Sequence, residues 1–197
     1  MPAWDDAFER ILDGRLAGLD RSGILARFGW VEEYAEKAKR LLSPESLDAR
    51  PAGEIYAVLD SLNVPGCQVR MTNLGRANRA GDVVAGIAAL LAKPGDFAEK
   101  FRAGKFPQAG AVALSQILCL ARPHRFAIRN RPFTRALAKA VPYYTVRALD
   151  ELEYEEFLDI CRELFHAVEA RMRNAGLGEW AAKYRFLLLY ALIAVDR

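Results

Sequence analysis

Residues 104–137 decide the fold, and they read GKFPQAGAVALSQILCLARPHRFAIRNRPFTRAL. The part from Pro107 to Leu120 is apolar at helical spacing, which predicts a central helix that Pro123 ends. A proline-bearing loop follows, and a further helix is expected near Pro132, because proline suits the first turn of a helix. The residues of the central helix expected to face inward are Val112, Ile117 and Leu120.

Helical spacing of apolar residues continues on both sides of this segment. The further predicted helices lie near residues 8–16, 24–42, 51–62, 83–91, 97–104, 146–168 and 186–195. Strand signals are weak, and only Phe126-Ala127-Ile128 is typical of a short extended piece. A chain of 197 residues, 52% of them hydrophobic, suits one domain with a sizeable core. The sequence predicts an all-α fold, a compact bundle of about eight helices in a single domain over residues 1–197.

A basic block stands out in a chain that is nearly neutral. Residues 100–149 contain ten Lys and Arg residues and no Asp or Glu, whereas the whole chain has a formal net charge of +3. Residues 1–60 carry 8 basic and 12 acidic residues, and residues 150–197 carry 6 and 10, so each flank sums to −4. A block of one sign makes a local positive field, which favours a nucleic-acid partner. The alternative is a solvated basic face with ion pairs to the acidic flanks.

Several other classes of protein do not fit the composition. The first residues, MPAWDDAFER, are acidic, and the longest apolar run, Phe186–Val195, is too short to span a bilayer. Cys67, Cys119 and Cys161 are scattered, which suits a reducing cytoplasm, and none pairs with a histidine at zinc-ligand spacing. Cys119 is expected in the core. Phosphate-loop, dinucleotide, kinase and metalloprotease motifs are absent. We therefore expect a cytoplasmic protein with no membrane contact, metal or cofactor.

The turn before the central helix is a candidate anion site. A helix start exposes unpaired N–H groups and the positive end of the helix dipole. Gly110 has no side chain to keep a phosphate away, so its N–H and those of Ala111 and Val112 are expected to face solvent or an anion, with a positive φ at the glycine. The alternative is that Gly110 packs inside.

Residues 97–140 resemble the helix-hairpin-helix segment of the DNA glycosylase superfamily. The likeness lies in FPQAG, set against a family pattern of Leu-Pro-Gly-x-Gly, then in a small-residue helix with Ala113 and Ser115, and then in the loop ARPHRFAIRNR. The same segment is similar to helical domains found beside McrB-type restriction ATPases. The resemblance implies a hairpin-like core at residues 97–140, flanked by the acidic segments 1–60 and 150–197, that binds duplex DNA.

The departures from the glycosylase pattern bear on catalysis. Gln108 replaces the first glycine of the turn, and Asn130 stands where the family carries its catalytic Asp. An amide cannot activate water as a carboxylate does. The lysine that bifunctional members use for Schiff-base chemistry is replaced by the run Ala111-Val112-Ala113. We therefore expect no catalytic residue, although a carboxylate beside Gly110 would favour an enzyme.

The candidate residues for nucleic-acid binding lie in the turn and in the loop after the central helix. They are Lys105, Gln108, Gly110, Ala111, Arg122, His124, Arg125, Arg129, Asn130 and Arg131. Arginines of this loop are expected to contact phosphates and to position a duplex, and Arg125 and Arg129 are expected to be exposed. Asn130 is more simply explained as the cap of the next helix, and Ser115 as a packing residue. Tyr143 and Tyr144 offer rings for base stacking, with partial burial as the alternative.

Taken together, these features predict a non-catalytic DNA-binding domain that contacts the phosphate backbone. A second hypothesis is a base-excision enzyme whose acid lies outside the familiar position. A third is an interaction or specificity module of a restriction or phage-defence system, which implies a protein partner.

Overall fold

The computed structural model describes residues 4–65, 78–92, 95–103 and 110–195, and these residues form thirteen α-helices with one short 3-10 turn at Ala52–Glu54 and no strand. In chain order the helices are α1 (Trp4–Leu16), α2 (Arg21–Phe28), α3 (Trp30–Leu41), α4 (Pro44–Asp48), α5 (Ile55–Ser61), α6 (Ala80–Ala92), α7 (Phe97–Ala103), α8 (Ala111–Ala121), α9 (Arg131–Ala140), α10 (Val146–Glu151), α11 (Tyr154–Asn174), α12 (Gly178–Lys183) and α13 (Arg185–Ala194). The all-α prediction is confirmed. The helices outnumber the eight expected, partly because two of the predicted helices are divided.

The predicted helix at residues 24–42 is divided at Gly29. This glycine ends α2 and begins α3, and its N–H donates a hydrogen bond of 2.8 Å to the carbonyl of Leu25. A Cβ at this position would collide with that carbonyl oxygen, so the tight turn of the backbone at the end of α2 needs glycine. The apolar spacing continues across the bend, which is why the pattern alone indicates one helix.

The predicted stripe at residues 146–168 is divided between α10 and α11. Thr145 caps α10 by accepting the N–H of Ala148 at 3.1 Å. Extended backbone follows at Leu152 and Glu153, and the N–H of Glu153 donates to the Glu156 carboxylate at 3.0 Å, which starts α11. Thr145 begins α10, and the capping box of Glu153 and Glu156 starts α11 directly after Leu152, so the helix is divided at Leu152 and Glu153, where the hydrophobic pattern shows no break.

Two apolar helices form the centre of the fold. Every residue of α8 from Ala113 to Leu120 is buried, and so is every residue of α13 from Phe186 to Leu192. α8 packs against α3, and α13 contacts α1, α3, α8, α9, α11 and α12. The central-helix prediction is confirmed, although α8 begins at Ala111; Pro107, where its start was expected, lies outside the described residues. Cys119 is buried in α8, as expected, and burial raises the pKa of its thiol.

The loop after α8 is neither helix nor strand, and its middle part is buried. Phe126, Ala127 and Ile128 are enclosed, so their peptide groups need partners other than water. The Tyr154 hydroxyl donates to the carbonyl of Ala127 at 2.6 Å and lies 2.9 Å from its N–H. The N–H of Arg129 donates to Ser115 Oγ at 3.0 Å. Side chains thus take the place of a neighbouring strand, and Ser115 has the structural role expected of it.

None of the described helices is both long enough and apolar enough to cross a membrane. The described residues also contain no group of three or more His, Cys, Asp or Glu side chains placed to hold a metal ion.

Candidate nucleic-acid interface

The predicted binding residues separate into groups with different environments. Lys105 and Gln108 lie outside the described residues, as does the rest of the predicted hairpin turn at 104–109. Gly110 and Ala111 lie at the start of α8, and the remaining six lie between the end of α8 and the first residue of α9.

Gly110 is the N-terminal residue before α8, and it is exposed. Its φ is −74° and its ψ is 169°, so the expected positive φ is wrong: the backbone is extended, as N-cap residues usually are. A Cβ built there would meet no atom within 4 Å, which rules out the alternative that Gly110 packs inside. Since glycine has no side chain, α8 starts without a side-chain cap.

Arg122 binds the end of α6, and Arg125 binds the segment between α6 and α7. Arg122 Nη2 donates to the carbonyl of Leu91 at 2.5 Å, and Arg125 Nη2 donates to the carbonyl of Gly95 at 2.8 Å. Lys100, which is 0% exposed, adds a third bond of 2.8 Å from Nζ to the carbonyl of Leu90. Helix ends leave carbonyls without intrahelical partners and carry a partial negative charge, so Arg122 and Lys100 stabilise the end of α6, and Arg125 holds the chain that follows it.

The crowding of charge at this helix end affects Lys100. Burial, together with the positive charges of Arg122 and Arg125, lowers the pKa of Lys100 to about 8. His124, between the two arginines, is exposed, and desolvation together with the charges of Arg185, Arg122 and Arg125 lowers the pKa of its imidazole. A lowered pKa favours the neutral ring at pH 7, which weakens His124 as a phosphate ligand.

Arg129 is not the exposed side chain that the sequence indicated. It is half-buried, and its Nη2 lies 3.1, 2.8 and 2.6 Å from the carbonyls of Leu149, Asp150 and Leu152, at the end of α10. Its guanidinium also lies 5.4 Å from the ring centroid of Phe157. The expectation of exposure is wrong, because the guanidinium fork replaces the missing partners of a helix end.

Asn130 caps α9, as its position suggested. Its Oδ1 accepts the N–H of Phe133 at 2.9 Å, Pro132 follows in the first turn, and the side chain is 4% exposed. Its Nδ2 lies 3.5 Å from the hydroxyl of Tyr190, which in turn donates to the carbonyl of Pro65 at 3.2 Å. The capping interpretation is confirmed, and the amide is held within the core.

Arg131 is exposed and belongs to a stripe that the sequence analysis missed. Arg131, Arg135 and Lys139 are spaced four residues apart, so they share one face of α9, and all three are exposed. None of the three side chains has a hydrogen bond or an ion pair with another described residue. The opposite face is buried through Phe133 and Leu137. The four-residue spacing of these cations is visible in the sequence RPFTRALAKA. It becomes apparent only when charges are counted along one face of the helix and not over a whole segment.

A groove of about 500 Å³ connects Arg131 with the start of α8. Its lining consists of Ala111, Val112, Arg129, Asn130, Arg131, Asp150, Leu152 and Glu153. A second, more apolar pocket of about 270 Å³ shares Ala111, Arg129 and Glu153 with it and adds Phe97, Phe101 and Tyr154. Two exposed carboxylates, Asp150 and Glu153, thus lie beside the first turn of α8, a feature the sequence analysis did not predict.

Comparisons with protein-family models, with curated proteins and with solved structures returned no significant match.

Proposed function

We propose that the protein binds duplex DNA through its phosphate backbone, without chemistry, and that the exposed face of α9 is the main contact. The observation that carries this proposal is the stripe of Arg131, Arg135 and Lys139, because these three exposed cations are not used in any described contact within the fold. Cations held by helix-end carbonyls cannot exchange those partners for phosphate without a loss of stability, whereas solvated ones can.

The dimensions of the stripe suit one strand of DNA. Eight residues of α-helix separate Arg131 from Lys139, a rise of about 12 Å. One strand carries a phosphate for about every 3.4 Å of duplex axis, so three to four phosphates pass along that length. Arginine adds planar donors that pair with two phosphate oxygens at once.

The start of α8 extends the proposed surface. Arg131 lines the same groove as Ala111 and Val112, and the exposed Gly110 precedes them. An uncapped helix start attracts a phosphate by its N–H groups and its dipole. The resemblance to the helix-hairpin-helix segment supports the same placement, since that motif docks on phosphate through this turn.

A salt titration with a labelled DNA duplex tests the proposal. Replacing Arg131, Arg135 and Lys139 with Ala is expected to reduce the slope of log affinity against log salt by about 2.7, at 0.9 per phosphate. The matched control replaces Arg21, Lys39 and Arg40, which are equally exposed, on α2 and α3. The proposal fails if both triple variants weaken binding equally, or if the wild-type protein does not bind DNA.

A second candidate function is base excision, and the carboxylates beside α8 favour it. Glu153 lines both the groove next to Arg131 and the apolar pocket that contains Phe101. A phosphate contact, an aromatic pocket and a carboxylate are the components that removal of an extruded base requires. In that reading Glu153 activates the attacking water as a general base, in place of the Asp that Asn130 replaces.

Excision assays separate the two candidates. Duplexes with one uracil, oxidised or alkylated base are incubated with the protein and then treated with alkali to cleave abasic sites. The non-catalytic proposal predicts no cleavage above background. Cleavage that is lost in Glu153→Gln and kept in the matched Glu151→Gln would establish the second candidate instead.

A further inference from the structure

A groove of about 540 Å³ lies on the surface between the end of α9 and α11, and neither function above uses it. Its apolar lining consists of Val141, Tyr143, Tyr144, Leu152, Ile160 and Leu164, and its acidic lining consists of Glu156, Asp159 and Glu163. Val141 and Leu164 are buried at its base, and Tyr144, Leu152 and Ile160 are half-buried.

Tyr143 is the distinctive residue of this groove. Its side chain is 61% exposed, and it is the one large hydrophobic residue that is exposed among the described residues. Partial burial is thus confirmed for Tyr144 and wrong for Tyr143. Tyrosine contributes more to protein interfaces than most residues, because it combines a rigid apolar ring with a polar tip.

The charge on the groove decides what can occupy it. The three carboxylates share one face of α11, since they stand at positions three and four residues apart. Asp159 forms an ion pair with Arg162, and the Glu156 carboxylate accepts the N–H of Glu153, so the rim keeps a net negative charge. The same negative charge would repel a phosphodiester, which weighs against the base-stacking role considered for Tyr143.

We propose that this groove binds a basic amphipathic helix of a partner protein. Apolar residues on one face of that helix would cover Tyr143, Ile160 and Leu152, and Lys or Arg residues beside them would meet Asp159 and Glu163. The acidic lining from Glu156 to Leu164 extends for about 12 Å, or about two turns, which matches the contact length of a short docked helix. The apolar lining of the groove thus requires apolar residues on the partner helix, and the acidic residues beside it require basic ones.

The test uses a fluorescent probe peptide of about 14 residues, with Leu at helical spacing and Lys elsewhere, and reads fluorescence anisotropy. A scrambled peptide of the same composition serves as the probe control. The full-length chain is used as wild type, as Tyr143→Ala and as the pair Asp159→Asn with Glu163→Gln. The protein control is Glu33→Gln with Asp48→Asn, two exposed acids on α3 and α4.

The expected result is binding of the ordered probe, weakened at least about tenfold by Tyr143→Ala and by the Asp159 and Glu163 pair, and unchanged in the control pair. The duplex-binding affinity of the same variants should stay at the wild-type value. Three results would overturn the proposal: no binding at millimolar probe, equal binding of the scrambled probe, or equal loss in the control pair.

Other occupants of the groove would give different experimental results. Concentration-dependent dimers in sedimentation that Tyr143→Ala abolishes would assign the groove to a second copy of the chain and overturn the peptide proposal. Loss of duplex binding in Tyr143→Ala would assign it to nucleic acid and overturn it as well.

Discussion

At the scale of the residue, the environment of a basic side chain decides whether it stabilises the fold or is available to a partner. Arg129 and Arg131 are two positions apart and have the same chemistry. Arg129 lies against three carbonyls at the end of α10, whereas Arg131 is exposed on α9 and has no described partner. The amino-acid type alone does not distinguish these roles.

The contrast between Arg129 and Arg131 gives a stability prediction. Arg129→Ala is expected to lower the free energy of unfolding by about 2 kcal/mol, because three carbonyls at the end of α10 lose a charged donor. Arg131→Ala, its matched control, should change it by less than about 0.5 kcal/mol. Urea denaturation measures both. Equal stability of the two variants would contradict the capping role of Arg129.

Lys100 gives a prediction for pH. Its pKa is about 8 in the folded protein and near the model-peptide value of 10.5 when unfolded. Between these values the unfolded chain binds more protons, so this group makes folding more favourable as the pH rises. The free energy of unfolding of the wild type, taken relative to Lys100→Met, should therefore increase from about pH 8 to about pH 10. Taking the difference removes the contributions of Tyr154 and the cysteines, and parallel curves would refute the lowered pKa.

At the scale of the element, the helices differ mainly in how the backbone groups at their ends are bound. The ends of α6 and α10 are held by distant cations, α9 is capped by Asn130, and α8 alone among these begins at an exposed glycine without a side-chain cap. The start of α8 thus presents backbone N–H groups without a side-chain cap, and we expect them to be available to a phosphate.

Substitutions at Gly110 test this role. The backbone at Gly110 is extended and open, so Gly110→Asn and Gly110→Asp should both cap α8 and raise stability by a few tenths of a kcal/mol. Only Asp adds a negative charge at the proposed phosphate contact. We expect its affinity for a DNA duplex to fall about tenfold below that of Gly110→Asn, equivalent to about 1.4 kcal/mol. Equal affinities with unchanged melting would remove the start of α8 from the interface.

At the scale of the whole molecule, the two ends of the chain are joined. Arg15 Nε donates to the carbonyl of Leu192 at 2.8 Å, and Arg171 forms ion pairs with Glu9 and Asp13, at 2.8 Å to Asp13. The acidic residues of the two flanks therefore pair mainly with cations of the flanks, within one flank or across to the other. Among ion pairs between described residues, the basic block contributes only Arg147 with Glu151.

This closure leads to a prediction about cooperativity. The buried apolar residues form a cluster that runs from Phe8 to Val195, so no part of the described core is expected to melt alone. Far-ultraviolet and near-ultraviolet circular dichroism should show the same thermal midpoint in a single transition. Two separated midpoints would contradict the prediction that residues 1–197 form one domain.

The sequence by itself determined the helical class, the central helix, the cap at Asn130 and the buried Cys119, because these follow from local spacing and local hydrogen bonding. It also located the basic block. It did not show which cations of the block bind carbonyls within the fold and which are exposed to solvent. The predicted helices divide at Gly29 and at Glu153 although their apolar spacing continues unbroken, because a cap depends on about three residues and periodicity on many.

Only the tertiary structure decided where the charges act. Arg122 reaches Leu91, Arg125 reaches Gly95 and Arg129 reaches Leu152. Unsatisfied carbonyls occur wherever a helix ends, and which cation lies near which end depends on how the helices pack. Arg131, Arg135 and Lys139 remain exposed because packing buries the opposite face of α9, and the groove beside Tyr143 exists because α9 ends against α11.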